Sequence, residues 1–117
     1  LKRQKKQRTK SKFSIQKTLN SHILIFEKLP FNPQKNDEII IMADQTVVGA
    51  TKITQDHAKK TSVTIWESYD SDQLSLPGYK NNETLQVKHY NSKTKKLNPL
   101  NMTVTVDPNQ RWTIISD

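Results

Sequence analysis

Residues 35–50, with the sequence KNDEIIIMADQTVVGA, contain two apolar runs that a short polar segment separates. The runs, residues 39–42 and 47–48, are rich in the β-branched residues that favour strands. The residues between them, 43–46, have the polar character of a link that turns one strand back on the next. Gly49, one of only two glycines, predicts a bulge or a close approach of another backbone. The stretch therefore predicts a β-hairpin.

Further strand-like segments lie on both sides of this hairpin. They are rich in β-branched residues or alternate apolar with polar residues, as a strand with one buried face does, and they comprise residues 21–29, 61–66, 84–90, 102–106 and 112–115. Turn-forming residues separate them, and the only helical pattern is a single turn at 56–60. About seven short strands predict an all-β fold, an antiparallel β-sandwich with a basic extended N-terminal arm; a closed barrel is the alternative.

The positive charge of the chain is concentrated at its N-terminus. The sequence has 19 Lys and Arg against 11 Asp and Glu, a formal net charge of +8. Eight of the basic residues and none of the acidic ones lie in residues 1–18, so residues 19–117 are formally neutral. This division predicts a basic arm or linker over residues 1–18 and a β-sandwich domain over residues 19–117.

The arm is the strongest electrostatic feature and the predicted site of attachment. Its candidate partner-binding residues are Lys2, Arg3, Lys5, Lys6, Arg8, Lys10 and Lys12. Other protein chains of an assembly are the favoured partners. An acidic polymer or nucleic acid is the alternative, since such a cluster can neutralise phosphates in a salt-dependent way. Only Phe13 accompanies these charges, which argues against base stacking within the arm.

The composition excludes several classes of site. The absence of cysteine rules out disulfides and thiolate chemistry, and two glycines are too few for a phosphate-binding loop. No apolar run is long enough to form a membrane-spanning helix. No nucleophile, base and anion-stabilising group can be placed together, so we predict that the protein is not an enzyme. The chain does not begin with methionine, and we expect it to be a piece of a longer protein.

The order of these features resembles a module of secreted and cell-surface proteins from Bacteroidetes. The residues that carry the resemblance are Asn36-Asp37-Glu38-Ile39, Val48-Gly49-Ala50, Thr64-Ile65-Trp66, the acidic residues Glu67, Asp70 and Asp72, and Gly78 to Glu83 followed by the strand at Thr84. The sequence departs from the pattern in three places, since Asn36 and Ile40 replace glycines and residues 89–91 differ from the usual Val-Trp-Asp. The resemblance implies a non-catalytic β-sandwich module of a larger exported protein, secreted or on the cell surface.

Two groups of side chains are candidates for ligand contact. Glu67, Asp70 and Asp72 place three carboxylates within six residues, and calcium prefers such oxygen ligands, although the glycine and terminal glutamate of an EF-hand are absent. They are weak metal candidates, and no cofactor is otherwise expected. Tyr69 and Tyr79, in the long polar link after residue 67, are candidate glycan contacts.

The remaining histidines and aromatic residues are predicted to be structural. His22, His57 and His89 lie in three separate segments, so nothing in their spacing predicts a shared metal or acid–base role. Trp66 and Trp112 are predicted to supply buried area to the core. The favoured function is an interaction module docked through its arm. The alternatives are a carbohydrate-binding accessory module and a protein associated with nucleic acid or ribonucleoprotein.

Overall fold

The structure is a computed structural model that describes residue 11 and residues 13–116. This part of the chain forms nine strands and no helix. The strands are β1 (Ser21–Phe26), β2 (Glu38–Ala43), β3 (Thr46–Lys52), β4 (Thr61–Trp66), β5 (Tyr69–Asp70), β6 (Ser75–Leu76), β7 (Thr84–Asn91), β8 (Lys96–Thr105) and β9 (Trp112–Ile115). The predicted all-β class is confirmed. No helix of the described part could cross a membrane, given the length and apolar character that a span requires.

The strands form two main sheets and one short hairpin. The larger sheet has the order β3-β2-β7-β8, with every pair antiparallel. The smaller has the order β4-β1-β9, in which β4 is antiparallel to β1 and β9 is parallel to it. β5 and β6 pair with each other in the link that follows β4. Antiparallel pairing therefore dominates, as predicted.

The hairpin predicted from the sequence is formed by β2 and β3. Two residues connect the strands, and the first of them, Asp44, has a φ of 57°, a left-handed conformation that aspartate tolerates better than most residues. Ile41 of β2 lies opposite Gly49. The next residue, Met42, lies opposite Val47, so that β3 has one residue more than β2 at this point. The extra residue forms a β-bulge beside the glycine.

Gly49 also lies where β3 approaches β4 of the other sheet. A Cβ atom at this position would be 2.6 Å from the carbonyl oxygen of Thr64 and 2.7 Å from Cγ2 of Ile65. Real Cβ atoms do not come so close to other atoms, so any side chain would force the two strands apart. The bulge and the close approach, which the sequence suggested as alternatives, therefore occur together at Gly49.

Apolar side chains from both main sheets form one core. Alternation places Val63 and Ile65 of β4, and Leu85 and Val87 of β7, on the buried side of their strands. Ile39 and Ile41 of β2 belong to this core, and Ile40, which alternation places on the opposite face of the sheet, is buried as well. The buried cluster comprises Leu24, Phe26, Ile39, Ile41, Ala43, Val48, Ile53, Val63, Ile65, Tyr79, Leu85, Val87, Val104 and Val106.

The strands differ from the predictions in number and in bounds. The described residues form nine strands instead of about seven, since the predicted polar link contains β5 and β6, and β1 ends at Phe26 instead of at residue 29. β8 begins at Lys96, well before the predicted residue 102, because its first half is an edge segment with exposed side chains that do not alternate. Pro99 is tolerated in this segment, since an edge strand can lack an N–H donor on its outer side. The prediction that both tryptophans are core residues is wrong for Trp112, which is 53% exposed, and Trp66 is half-buried.

The backbone conformation explains how asparagine is accommodated at position 36, where the Bacteroidetes module that the sequence resembles has glycine. Asn36 lies in the turn before β2 and has a φ of 78°. In this left-handed region glycine is unstrained, and asparagine is among the best tolerated of the other residues. Its N–H donates to the carbonyl oxygen of Ile53 at 2.8 Å. Asparagine can therefore adopt the backbone conformation that a glycine would otherwise supply.

Candidate functional site

A polar crevice opens where the start of β1, the segment after β4 and the turn between β8 and β9 meet. Its volume is about 400 Å³. Its lining residues are Asn20, Ser21, His22, Glu67, Tyr79, Asn81, Pro108, Asn109, Gln110 and Arg111. This lining, called the polar crevice below, combines one carboxylate, one guanidinium, one imidazole and one phenol with four amides.

Backbone hydrogen bonds hold Glu67 and Tyr79 beside each other in the polar crevice. The two residues form an isolated parallel bridge, in which the Tyr79 N–H donates to Trp66 O at 3.0 Å and the Ser68 N–H donates to Tyr79 O at 2.9 Å. Gly78 is required just before Tyr79, because a Cβ atom there would lie 2.5 Å from the Ser68 nitrogen. Because Gly78 has no side chain, the backbone can approach Ser68 closely enough to place Tyr79 beside Glu67.

Tyr79 is a buried residue among those that line the polar crevice. The residue is only 3% exposed, and its hydroxyl forms no hydrogen bond with any of the described residues. Burial raises the pKa of Tyr79, and the charge of Glu67 adds to this effect. The phenol is therefore neutral at physiological pH and retains a proton that it can donate.

His22 is a buried structural residue on the floor of the polar crevice. Its Nε2 lies 2.7 Å from the Thr113 hydroxyl, and the ring also hydrogen-bonds the backbone of Gln110. Burial lowers the pKa of His22, and the hydrogen bond to Gln110 and the charge of Asp107 offset this only in part. His22 is therefore neutral at physiological pH, with both sides of its ring occupied.

A second cluster of buried polar groups lies at the start of β2. Asp37, which is 1% exposed, accepts hydrogen bonds from the N–H groups of Gln34 (3.2 Å) and Ser92 (2.9 Å), the Ser92 hydroxyl (3.0 Å) and His89 Nε2 (2.9 Å). Burial alone would raise the pKa of Asp37, but these hydrogen bonds outweigh it and lower the pKa. Phe31 stacks on His89 with ring centroids 3.8 Å apart. The cluster ties the turn before β2 to the end of β7.

The outer face of the three-stranded sheet carries exposed apolar side chains. Ile23 of β1 lies beside Trp112 of β9 in the sheet register, and Ile25 lies beside Ile114. Ile23, Trp112 and Ile114 are 42%, 53% and 52% exposed. Because paired residues of adjacent strands point to the same side, these side chains form one continuous patch, called the apolar outer face below.

The described residues of the predicted arm lie against the domain. The Ser11 hydroxyl donates to the Glu38 carboxylate, and the ring of Phe13 meets that of Tyr90 edge-on, with centroids 5.6 Å apart. The Thr18 hydroxyl donates to a backbone carbonyl just after β4 at 2.5 Å. The predicted partner-binding residues Lys2, Arg3, Lys5, Lys6, Arg8, Lys10 and Lys12 lie outside the described residues.

The structure separates most of the predicted ligand residues. Glu67 and Tyr79 meet in the polar crevice, whereas Tyr69 and Asp70 line a different concavity of about 260 Å³ and Asp72 is exposed. The three carboxylates therefore do not share a site, and the described residues contain no group of three or more side chains placed to hold a metal. Because Tyr79 is buried, its ring is not an open stacking surface for a sugar.

Sequence reasoning missed the other half of the polar crevice. Asn20 and His22 come from one end of the domain sequence, and Gln110 and Arg111 come from the other. No local pattern links segments so far apart. The only signal was the Pro-Asn pair before β9, which marks a turn without identifying what the turn contacts.

Comparison with known proteins does not assign the chain to a family. No protein-family model, curated protein or solved structure matches it. The resemblance to the Bacteroidetes module therefore stays a prediction. The polar crevice, the Asp37 cluster and the apolar outer face are the features on which a functional proposal rests.

Proposed function

We propose that this chain is a non-catalytic β-sandwich module that mediates protein–protein contact within a larger exported assembly, secreted or on the cell surface as the Bacteroidetes resemblance implies. The observation that carries the proposal is the apolar outer face. In this proposal the main contact lies on the three-stranded sheet. The basic residues 1–18 supply an additional electrostatic contact.

The composition and exposure of the apolar outer face favour a docking role. Large contiguous apolar patches are uncommon on monomeric soluble proteins and mark interaction sites. Trp112 and Ile114 are each more than half exposed and lie on the same strand. Tryptophan is strongly enriched among the residues that dominate interface energies. Covering these side chains would contribute about 25 cal/mol for each Å² of apolar surface removed from water.

The distribution of charge favours an acidic partner for the arm. The eight basic residues of the first eighteen account for the whole net charge of +8. Such a separate cationic segment accelerates association with an oppositely charged surface, and salt screens the effect. The arm would therefore govern the rate of encounter, and the apolar outer face would govern how long the complex lasts.

The buried titratable groups support a non-catalytic role. Asp37 and His89 hydrogen-bond each other and hold two segments of backbone together. The pair formed by His22 and Thr113 combines a base with a hydroxyl, but Thr113 does not line the polar crevice. A molecule in the crevice would therefore lie away from this hydroxyl. These groups act as structural links in the arrangement described.

Site-specific photo-cross-linking in the producing organism tests the proposal. A benzoylphenylalanine at position 112 should cross-link to a protein of the assembly, because Trp112 is among the most exposed side chains of the apolar outer face. The matched control places the same residue at position 74, since Leu74 is also apolar and 47% exposed but lies in the link after β4. Position 74 should give no comparable product.

Two outcomes would overturn the proposal. Equal cross-linking yields from positions 112 and 74 would show that the contact is unselective. The absence of any cross-linked product from position 112 would refute the proposal that the apolar outer face binds a partner. The nucleic-acid alternative would be favoured by a different pair of results. The protein would be retained on a nucleic-acid column only while residues 1–12 are present, and position 112 would give no cross-link.

A further inference from the structure

We propose that the polar crevice binds one unit of a neutral saccharide, with the Tyr79 hydroxyl and the Glu67 carboxylate as its principal hydrogen-bonding groups. The site uses none of the residues of the apolar outer face, so this inference goes beyond the proposed docking function and does not depend on it. It retains Tyr79 from the sequence-based glycan hypothesis. In the present proposal hydrogen bonds hold the sugar, whereas the sequence-based hypothesis required the sugar to stack on an exposed tyrosine ring.

The size and construction of the polar crevice suit a small ligand. Its volume of about 400 Å³ lies within the range of about 300–1,000 Å³ that is usual for small-molecule sites. Backbone hydrogen bonds fix both sides of it, from Glu67 N–H to Asn20 O at 3.0 Å and from Ile23 N–H to Arg111 O at 3.0 Å. A site anchored in this way by strand ends is largely formed before a ligand arrives.

The charges and hydrogen-bonding groups of the polar crevice favour a neutral polyhydroxylated molecule. The Glu67 carboxylate only accepts hydrogen bonds, the Arg111 guanidinium only donates them, and the amides of Asn81 and Asn109 do both. Sugar hydroxyls also do both, so they can satisfy each of these groups. The single negative and single positive charge balance each other while His22 is neutral, so neither a simple anion nor a simple cation is favoured.

Tyr79 supplies the most specific element of the site. Nearly all buried polar groups in native proteins have a hydrogen-bond partner, whereas the hydroxyl of the buried residue Tyr79 has none among the described residues. The raised pKa of Tyr79 keeps this hydroxyl protonated, so that it can donate one hydrogen bond and accept another. A vicinal pair of sugar hydroxyls that bridges Tyr79 and Glu67 would satisfy both residues at once.

Amide chemical shifts, followed by NMR during titration of the ¹⁵N-labelled chain, test the site. The probes are glucose, galactose, mannose and N-acetylglucosamine, with glycine and inorganic phosphate as charged comparisons. At least one sugar should shift the amides of Asn81 and Gln110 in a saturable way. Tyr79→Phe and Glu67→Gln should each weaken its binding about three- to tenfold, the loss of one or two hydrogen bonds. The matched control Tyr69→Phe should not, because Tyr69 lies in a separate concavity.

Several outcomes would overturn the inference. These are the absence of saturable shifts with all four sugars, tighter binding of glycine or phosphate than of any sugar, and an unchanged affinity in Tyr79→Phe and Glu67→Gln. If Tyr79→Phe fails to fold, Glu67→Gln decides the matter alone, since Glu67 is only half-buried. None of these results bears on the cross-linking from position 112, so the two proposals fail or succeed separately.

Discussion

Asp37→Asn should destabilise the protein by about 3 kcal/mol, because the substitution removes half of the hydrogen bonds that a buried carboxylate accepts. Oδ1 of Asp37 accepts from two groups of Ser92, and Oδ2 accepts from Gln34 N–H and His89 Nε2. An amide has one acceptor oxygen, so one of these two pairs must be lost. Hydrogen bonds to a charged group contribute about 1.5–3 kcal/mol each, and relief from burying the charge offsets part of the loss.

Urea denaturation at pH 7 measures this change as a shift in midpoint at constant m-value. The matched control is Asp56→Asn, since Asp56 is exposed and accepts a single hydrogen bond, from Lys35 N–H at 2.7 Å. Its effect should stay below about 1 kcal/mol. A loss at position 37 no larger than that at position 56 would refute the assignment of Asp37 as the main polar link in the fold.

The same variant carries a pH signature. The pKa of Asp37 is lowered in the folded state, so its stabilising contribution is fully present above the unfolded-state pKa of about 3.9 and is lost as the pH falls through the folded-state pKa. The difference in unfolding free energy between the wild type and Asp37→Asn should therefore shrink below about pH 4. A difference that stays constant from pH 7 to pH 3 would contradict the pKa direction.

Four further variants test the strand contacts, one turn and the exposed face. Gly49→Ala should cost about 1–3 kcal/mol of unfolding free energy, because its Cβ would overlap the backbone of β4. A urea midpoint equal to that of the wild type would contradict the close approach of β3 to β4 at this position. Asn36→Gly should leave the unfolding free energy unchanged within about 0.5 kcal/mol, whereas Asn36→Val should lower it by about 1–2 kcal/mol, because a β-branched residue is strained at a φ of 78°. Equal urea midpoints for the two variants would contradict this backbone conformation. Trp112→Ser should change stability by less than about 1 kcal/mol, because the side chain is more than half exposed; a larger loss would indicate that Trp112 belongs to the core.

The strands could be predicted where one face is buried and the pattern is local. In β4, Val63 and Ile65 alternate with polar residues, and the structure has the predicted bounds for that strand. The hairpin of β2 and β3 was predictable because its apolar runs and its turn are adjacent in sequence. His89, which was predicted to be a structural residue, is buried and hydrogen-bonded to Asp37.

The edge elements could not be predicted, because alternation shows that a strand has two faces but not what covers each face. In β9 both faces are apolar, with Trp112 and Ile114 outward and Ile115 packed against the core. The sequence therefore could not distinguish the exposed tryptophan from a buried one. The first half of β8 shows no alternation at all, since both of its faces are largely exposed.

The candidate site was predictable only in part for a similar reason. Glu67 comes directly before the polar link that contains Tyr79, so the sequence places the two residues on one connection between strands. Their meeting with Asn20 and Arg111 depends on how β1 and β9 pair, and that pairing is parallel between the first and last strands. Such a long-range contact has no local sequence signature.

Hydroxyl-radical footprinting of Trp112 tests the docking proposal most directly. The exposed side chain should be oxidised readily in the isolated domain and protected several-fold in the intact assembly, while the half-buried Trp66 should react to a similar degree in both. Equal oxidation of Trp112 in the two preparations would contradict the proposal that this face is where the module attaches.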